Sequence, residues 1–356
     1  MKLSLKNPID EFKPKIREFF KNIPKEVPEI PFDEIPKKGK FALPSGGYGE
    51  AYLSDDKTRA VKIINLNRHF SDKIISSLQN EIVNYHRIST LCPKYFCKFI
   101  GYSYSEQDFV VAIVMENCGT DLLEFFNSEI DEKYRLKYLA AENNNRDVVE
   151  EIDIEKMSKL KFIFYKVIEA IDCLHYNGYV HLDIKPENIV VLSKNGTYEI
   201  KFIDAGSLTR ITPGTKTYVF GTKEYMAPEL LQVRSDPYLE NNNGLTKLDI
   251  YSFGKMCKEM LTKKEILCMF SGDRIIKESL DMDPNKRPDA LKIMFFMNPS
   301  LYINSVKHSS MKKISESAIE NAHPNKTNRK RKSNSKTKSN SKSRSNSKSR
   351  SSSKTR

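Results

Sequence analysis

The residues able to do chemistry fall into three groups. Pro44-Ser45-Gly46-Gly47-Tyr48-Gly49-Glu50-Ala51 clusters glycines whose backbone N–H groups can approach phosphate oxygens where a Cβ would obstruct them. A simple hairpin turn would use the same residues. Ala60-Val61-Lys62-Ile63 places a lysine in an apolar run, and Glu81 follows nineteen residues later. A lysine on the inner face of a strand is costly to bury unless paired, and Glu81 supplies the partner. Finally, His181-Leu182-Asp183-Ile184-Lys185-Pro186-Glu187-Asn188 precedes Asp204-Ala205-Gly206 by sixteen residues. Its carboxylates and amide offer hard oxygen ligands.

These residues need elements to hold them. Prolines at 8, 14, 24, 28, 31 and 36 interrupt residues 1–39, which read as an extended arm with one short helix around Glu11–Asn22. Short β-rich runs follow at Gly49–Leu53, Ala60–Ile64, Phe96–Ser103 and Phe109–Met115. An amphipathic helix, Asp72–Ile88, interrupts them, with Ile74, Ile75, Leu78, Ile82 and Tyr85 at helical spacing. From Asp121 onward the long periodic segments are helical: Glu155–Tyr176, Asp249–Leu261, Asp273–Leu280 and Asp289–Phe296. Strand-like pieces stand at Ile189–Leu192 and Ile200–Ile203. Residues 127–152, rich in Glu, Asp and Asn, read as a solvated insertion. The class is α+β, strand-rich first and helical second.

Three further segments complete the pattern: Gly221-Thr222-Lys223-Glu224-Tyr225-Met226-Ala227-Pro228-Glu229, Asp249-Ile250-Tyr251-Ser252-Phe253-Gly254, and Asn285-Lys286-Arg287-Pro288. In this order the chain resembles the eukaryotic-type protein kinase superfamily, whose catalytic loop reads H-R-D-x-x-x-x-N and whose metal loop reads D-F-G. The resemblance implies a bilobal domain over 40–297, with a β-rich N-lobe at about 40–115 and a mainly helical C-lobe at about 120–297. It implies ATP and Mg²⁺, with Mn²⁺ as an alternative ion, and protein substrates.

By the same resemblance Ser45, Gly46, Gly47, Tyr48, Gly49, Ala51 and Ala60 surround the nucleotide, and Lys62, paired with Glu81, holds its α/β-phosphates. Met115 is the gatekeeper, the backbones of Glu116 and Cys118 bond adenine, and Asp121 reaches the ribose. Asp183 accepts or orients the acceptor proton, Lys185 steadies the γ-phosphate, and Asn188 and Asp204 hold Mg²⁺. Gly221, Thr222, Ala227, Pro228 and Glu229 close the activation segment. His181, Asp249 and Arg287 are structural, Arg287 pairing with Glu229. Lys185 and Thr222 resemble Ser/Thr-directed members.

Four positions depart from the family pattern. Pro44 replaces the first glycine of the phosphate loop, and Ala51 stands at the following Val position. Leu182 replaces the arginine that pairs with an activation-loop phosphate, so activity without loop phosphorylation is expected. Ala205 replaces the metal-loop phenylalanine, a lost volume worth about 3–5 kcal/mol if left empty. The aromatics Tyr85 and Phe99 are expected to refill that space. A scaffold without catalysis, a small-molecule kinase and a nucleic-acid tether are the competing readings. Retention of Lys62, Glu81, Asp183, Asn188 and Asp204 argues against the first.

The formal charge of +13 is unevenly placed: residues 307–356 hold 16 Lys/Arg and 2 acids, so the body is close to neutral. Residues 298–323 read as a linker and 324–356 as a disordered basic tail, with eleven Ser among Lys, Arg, Asn and Thr from 333 onward. Such cation density suits nucleic acid or another polyanion through counterion release. Arg329-Lys330-Arg331-Lys332 resembles a nuclear-import signal. The longest apolar run, Phe109–Met115, has seven residues against roughly 20 for a membrane helix. The N-terminus lacks an apolar secretory core. Six cysteines without a C-x-x-C pair suggest reduced, buried thiols in an intracellular protein.

Overall fold

The computed structural model describes residues 8–43, 49–67, 71–131, 154–194, 196–231, 238–241 and 243–300. Five antiparallel strands form the first sheet: β1 (Lys38–Leu43), β2 (Gly49–Ser54), β3 (Arg59–Asn65), β4 (Phe99–Ser105) and β5 (Val110–Glu116), in the order β1-β2-β3-β5-β4. The apolar run Val111–Met115 is buried on both faces, which suits β5 to its place between β3 and β4. The register sets Lys62 between Ala51 of β2 and Ile113 of β5.

The N-terminal arm is docked rather than extended. Helix α1 (Pro8–Lys21) buries Ile16 and stacks Phe20 on Tyr104 of β4 at 4.1 Å. Beyond it, Ile30 N–H donates to Tyr102 O at 2.8 Å, and Tyr102 N–H to Pro28 O at 3.0 Å. Aromatic area on one strand face, not backbone propensity, holds this segment.

Helix α2 (Asp72–Gln79) starts at Ser71, whose hydroxyl accepts from Ile74 N–H. It continues through a π-helical turn, Asn80–Asn84, into α3 (Tyr85–Leu91). This composite helix carries Glu81 and buries Leu78, Ile82, Tyr85 and Ile88.

In the second part, β6 (Thr120–Asp121), β8 (Ile189–Lys194) and β9 (Thr197–Phe202) form a small sheet, while β7 (Tyr179–Val180) pairs with β10 (Thr209–Arg210). β11 (Thr215–Tyr218) pairs with β12 (Tyr238–Asn241). The helices are α4 (Leu122–Phe125), α5 (Ile154–Tyr176), α6 (Pro228–Leu231), α7 (Thr246–Met260), α8 (Lys263–Met269), α9 (Arg274–Ser279) and α10 (Ala290–Met297). Central α5 and α7 bury residues around most of their circumference, as core helices should. One apolar cluster runs through both parts, with Phe96 stacked on Phe202 at 5.7 Å. Among the described residues no helix is long and apolar enough to cross a membrane.

The cysteine expectation is corrected. Cys92 pairs with Cys173 as a disulfide at a Cα separation of 6.4 Å, Cys97 and Cys118 bring their sulfurs together at a Cα separation of 6.1 Å, and Cys257 and Cys268 are free. The segment between α3 and β4 packs on α5 and on the loop after β5, a proximity that separations of 81 and 21 residues conceal. The phosphate-loop residues 44–48, most of the insertion and everything from 301 onward, the basic tail included, lie outside the described residues.

Candidate active site

Three backbones converge on one cluster of charges. Lys62 on β3 pairs with Glu81 on the composite helix, and its ammonium lies 3.2 Å from Asp204 Oδ1. Burial works to lower the lysine's pKa, but Asp204 and Glu81 reverse the effect and keep the ammonium charged. Burial pushes the Glu81 carboxyl up, with Lys62 opposing it. Asp204 sits at φ +57°, and the Gly206 N–H donates to its Oδ1 at 3.1 Å.

The catalytic-loop residues form a second, contiguous network. Asp183 Oδ1 accepts from both the N–H and the hydroxyl of Thr222, each at 2.7 Å, and Lys185 Nζ donates to that hydroxyl at 2.7 Å. Asn188 Nδ2 donates to Asp183 O at 2.8 Å and to Asp183 Oδ2 at 2.9 Å. Its amide nitrogen is thereby committed, and the amide oxygen is the side-chain atom left for a cation. With the carboxylate of Asp204 this oxygen makes a donor set that fits Mg²⁺.

Buried Asp249 on α7 supports the loop from beneath. Its Oδ1 accepts from Leu182 N–H at 2.8 Å, and its Oδ2 accepts from His181 N–H at 2.9 Å and faces His175 Nε2 at 2.9 Å. Leu182 is thereby held at φ +63°, a left-handed conformation unusual for leucine. Its side chain packs with Val180, Phe220, Ala227 and Leu230. The His181 ring is buried against Phe202, and burial lowers its pKa.

The activation-segment residues close this side. Gly221, at φ +120°, runs past Leu182 O, and Ala227 is fully buried. Pro228 opens α6, and Glu229 makes a bidentate pair with buried Arg287 at 2.6 and 2.7 Å. On β5, Met115 is buried with its Sδ 3.8 Å from the Tyr85 hydroxyl. Glu116 Oε1 accepts from Lys98 N–H and Lys201 Nζ, both at 2.7 Å. Asp121 caps α4 by accepting from Glu124 N–H at 2.9 Å. Gly49, Ala51 and Ala60 lie on β2 and β3, while Ser45, Gly46, Gly47 and Tyr48 fall outside the described residues.

Tyr85 is fully buried and contacts Phe99 edge to face at 6.0 Å, in the same cluster as buried Ala205. The two aromatics proposed to compensate for the missing phenylalanine thus pack on each other in the core. Sequence reasoning missed Ser77, Asn80 and Asn84, which share a helical face with Glu81 and meet the metal loop. Their i, i+3, i+7 spacing was the available signal.

Comparison with known proteins agrees with this geometry. The family model described as protein kinase domain matches residues 41–319. The chain is 32% identical over 129 residues to smooth-muscle myosin light chain kinase of Gallus gallus, covering 36% of this chain and 6% of that protein. It is 28% identical over 228 residues to the probable serine/threonine-protein kinase fnkE of Dictyostelium discoideum, covering 61% and 15%. Against the serine/threonine-protein kinase mos of Patiria pectinifera it is 26% identical over 230 residues, covering 62% and 55%. The chain thus spans only part of the length of each of these relatives. With the model matching most of its residues, the chain belongs to the protein kinase domain family.

Proposed function

We propose that this chain is a serine/threonine protein kinase that transfers the γ-phosphate of ATP to Ser or Thr hydroxyls of protein substrates. The observation that carries the reading is the Lys185–Thr222–Asp183 network, which fixes a carboxylate and an ammonium side by side. Phosphoryl transfer asks little covalent chemistry of a protein; it requires alignment and neutralised charge. The acceptor oxygen attacks the γ-phosphorus, its proton passes to Asp183, and the bond to the leaving ADP oxygen breaks. Lys185 balances charge on the transferred group, and Lys62 holds the nucleotide phosphates while Glu81 fixes its position. Mg²⁺, held by Asn188 and Asp204, supplies further neutralisation when bound. The relatives named as serine/threonine kinases support the acceptor class.

The test is label transfer from γ-labelled ATP to casein, histone or the chain itself, with Asp183→Asn as control and phosphoamino-acid analysis of the product. Phosphoserine or phosphothreonine is expected, lost in the variant. Phosphotyrosine alone, or no incorporation with either Mg²⁺ or Mn²⁺, overturns the reading.

A further inference from the structure

The face that the composite helix turns toward the metal loop is polar. Asn80 Nδ2, buried, donates to Gly206 O at 3.1 Å. Asn84 Nδ2 donates to Asn80 Oδ1 at 2.9 Å and to Leu208 O at 3.1 Å. Two carboxamides thus form a chain that ends on two backbone carbonyls of the loop carrying Asp204. The helix lies almost directly on that backbone. A Cβ at Gly206 would stand 2.9 Å from Glu81 Oε1 and 3.0 Å from Ser77 Oγ, so a larger residue would press on both side chains. The two asparagines also bound the π-helical turn, a rare geometry that is frequent at functional sites.

The loop they grip lacks the usual means of packing against the helix. Residue 205 is a buried alanine, whose single methyl group cannot bridge to the helix as an aromatic ring would. Tyr85 and Phe99 belong to the helix and to β4, so they do not anchor the loop themselves. Hydrogen bonds to Gly206 O and Leu208 O do. We propose that Asn80 and Asn84 are positioning residues for phosphoryl transfer, clamping the 206–208 backbone to the helix and so holding Asp204 beside Lys62. The proposal rests on the kinase reading for its kinetic consequence, but not for its structural one.

Asn80→Leu and Asn84→Leu keep the approximate size of each side chain and remove the donor, leaving a loop carbonyl unpaired. Asn84→Gln keeps the amide on a partly exposed site. Asn67→Leu is the control, because exposed Asn67 donates to the Asp108 carbonyl at 3.0 Å, far from this loop in sequence. In the full chain without nucleotide, hydrogen exchange across 204–208 is expected to quicken about 10-fold in both leucine variants at Asn80 and Asn84, with little change elsewhere. In the transfer assay kcat is expected to fall about 10-fold and half-saturating Mg²⁺ to rise, with KM for the protein substrate unchanged and Asn84→Gln near wild type. Native exchange in 204–208 overturns the clamp, as does a loss of activity that merely tracks global unfolding. A wild-type chain that transfers no label defeats the kinase reading separately, and the exchange measurement still decides whether the two amides hold the loop.

Discussion

Asp249→Asn tests how far the catalytic loop depends on one buried carboxylate. Asp249 is fully buried and serves three donors: the backbone N–H groups of His181 and Leu182 and the His175 ring. Hydrogen bonds to a charged acceptor contribute about 1.5–3 kcal/mol each. Asparagine retains one acceptor oxygen, so its NH₂ must face at least one of these N–H groups, leaving that donor unpaired in the core. Leu182 also sits in a left-handed conformation that costs about 1–2 kcal/mol and relaxes once its tether is lost. A net destabilisation of about 3 kcal/mol follows, which in a domain of this size lowers Tm by roughly 6–12 °C. Asp183 is one residue beyond the released tether, and a displacement of about 1 Å at a reacting group can cost about 100-fold in rate. Thermal unfolding and label transfer on the same preparation measure both effects. A Tm within about 2 °C of wild type together with unchanged turnover refutes the reasoning.

Four other outcomes are expected. Phosphatase treatment leaves turnover unchanged, because an apolar cluster around Leu182 replaces a phosphate-binding arginine; a large fall restored by phosphorylation of Thr209, Thr212, Thr215 or Thr217 counts against this. Leu182→Arg puts a guanidinium into that cluster and costs at least about 3 kcal/mol, read as a lower denaturant midpoint. Tyr85→Ala removes a fully buried ring and costs about 3–5 kcal/mol, and unchanged stability there and in Phe99→Ala removes the infill argument. Removing residues 324–356 weakens binding to polynucleotides and flattens its salt dependence while transfer to a small protein persists, as a salt titration by anisotropy measures.

Legibility in the sequence followed locality. The helical period over Glu155–Tyr176 placed α5 to within one residue, and the segment Asp183–Asn188 carries its spacing within itself. Thr222 could be assigned to its neighbourhood, but its hydrogen bonds to Asp183 and Lys185 exist only once the chain folds back over 39 and 37 residues. Strand β1 was hidden because Lys38-Gly39-Lys40 dilutes its alternation, although a partner strand and hydrogen bonding suffice to form it. Helix α8 is too short for a periodic pattern; its start was written in Thr262 and Glu265, which form a capping box. The sulfur pairs and the Asn80–Gly206 contact depend on tertiary approach alone, which no local pattern encodes.

The arm across β4 bears on how the protein should be handled. β4 is the outer strand of its sheet, and open outer strands invite pairing with other molecules. Residues 28–30 cap it, and Gly101 lies so close beneath that a methyl group there would press to 2.7 Å from Ile30 Cγ1. A recombinant fragment trimmed to the 41–319 family boundary discards this cover and bares the tyrosine shelf under Phe20. Clumping on expression would then reflect a missing lid, and restoring residues 8–40 is the remedy.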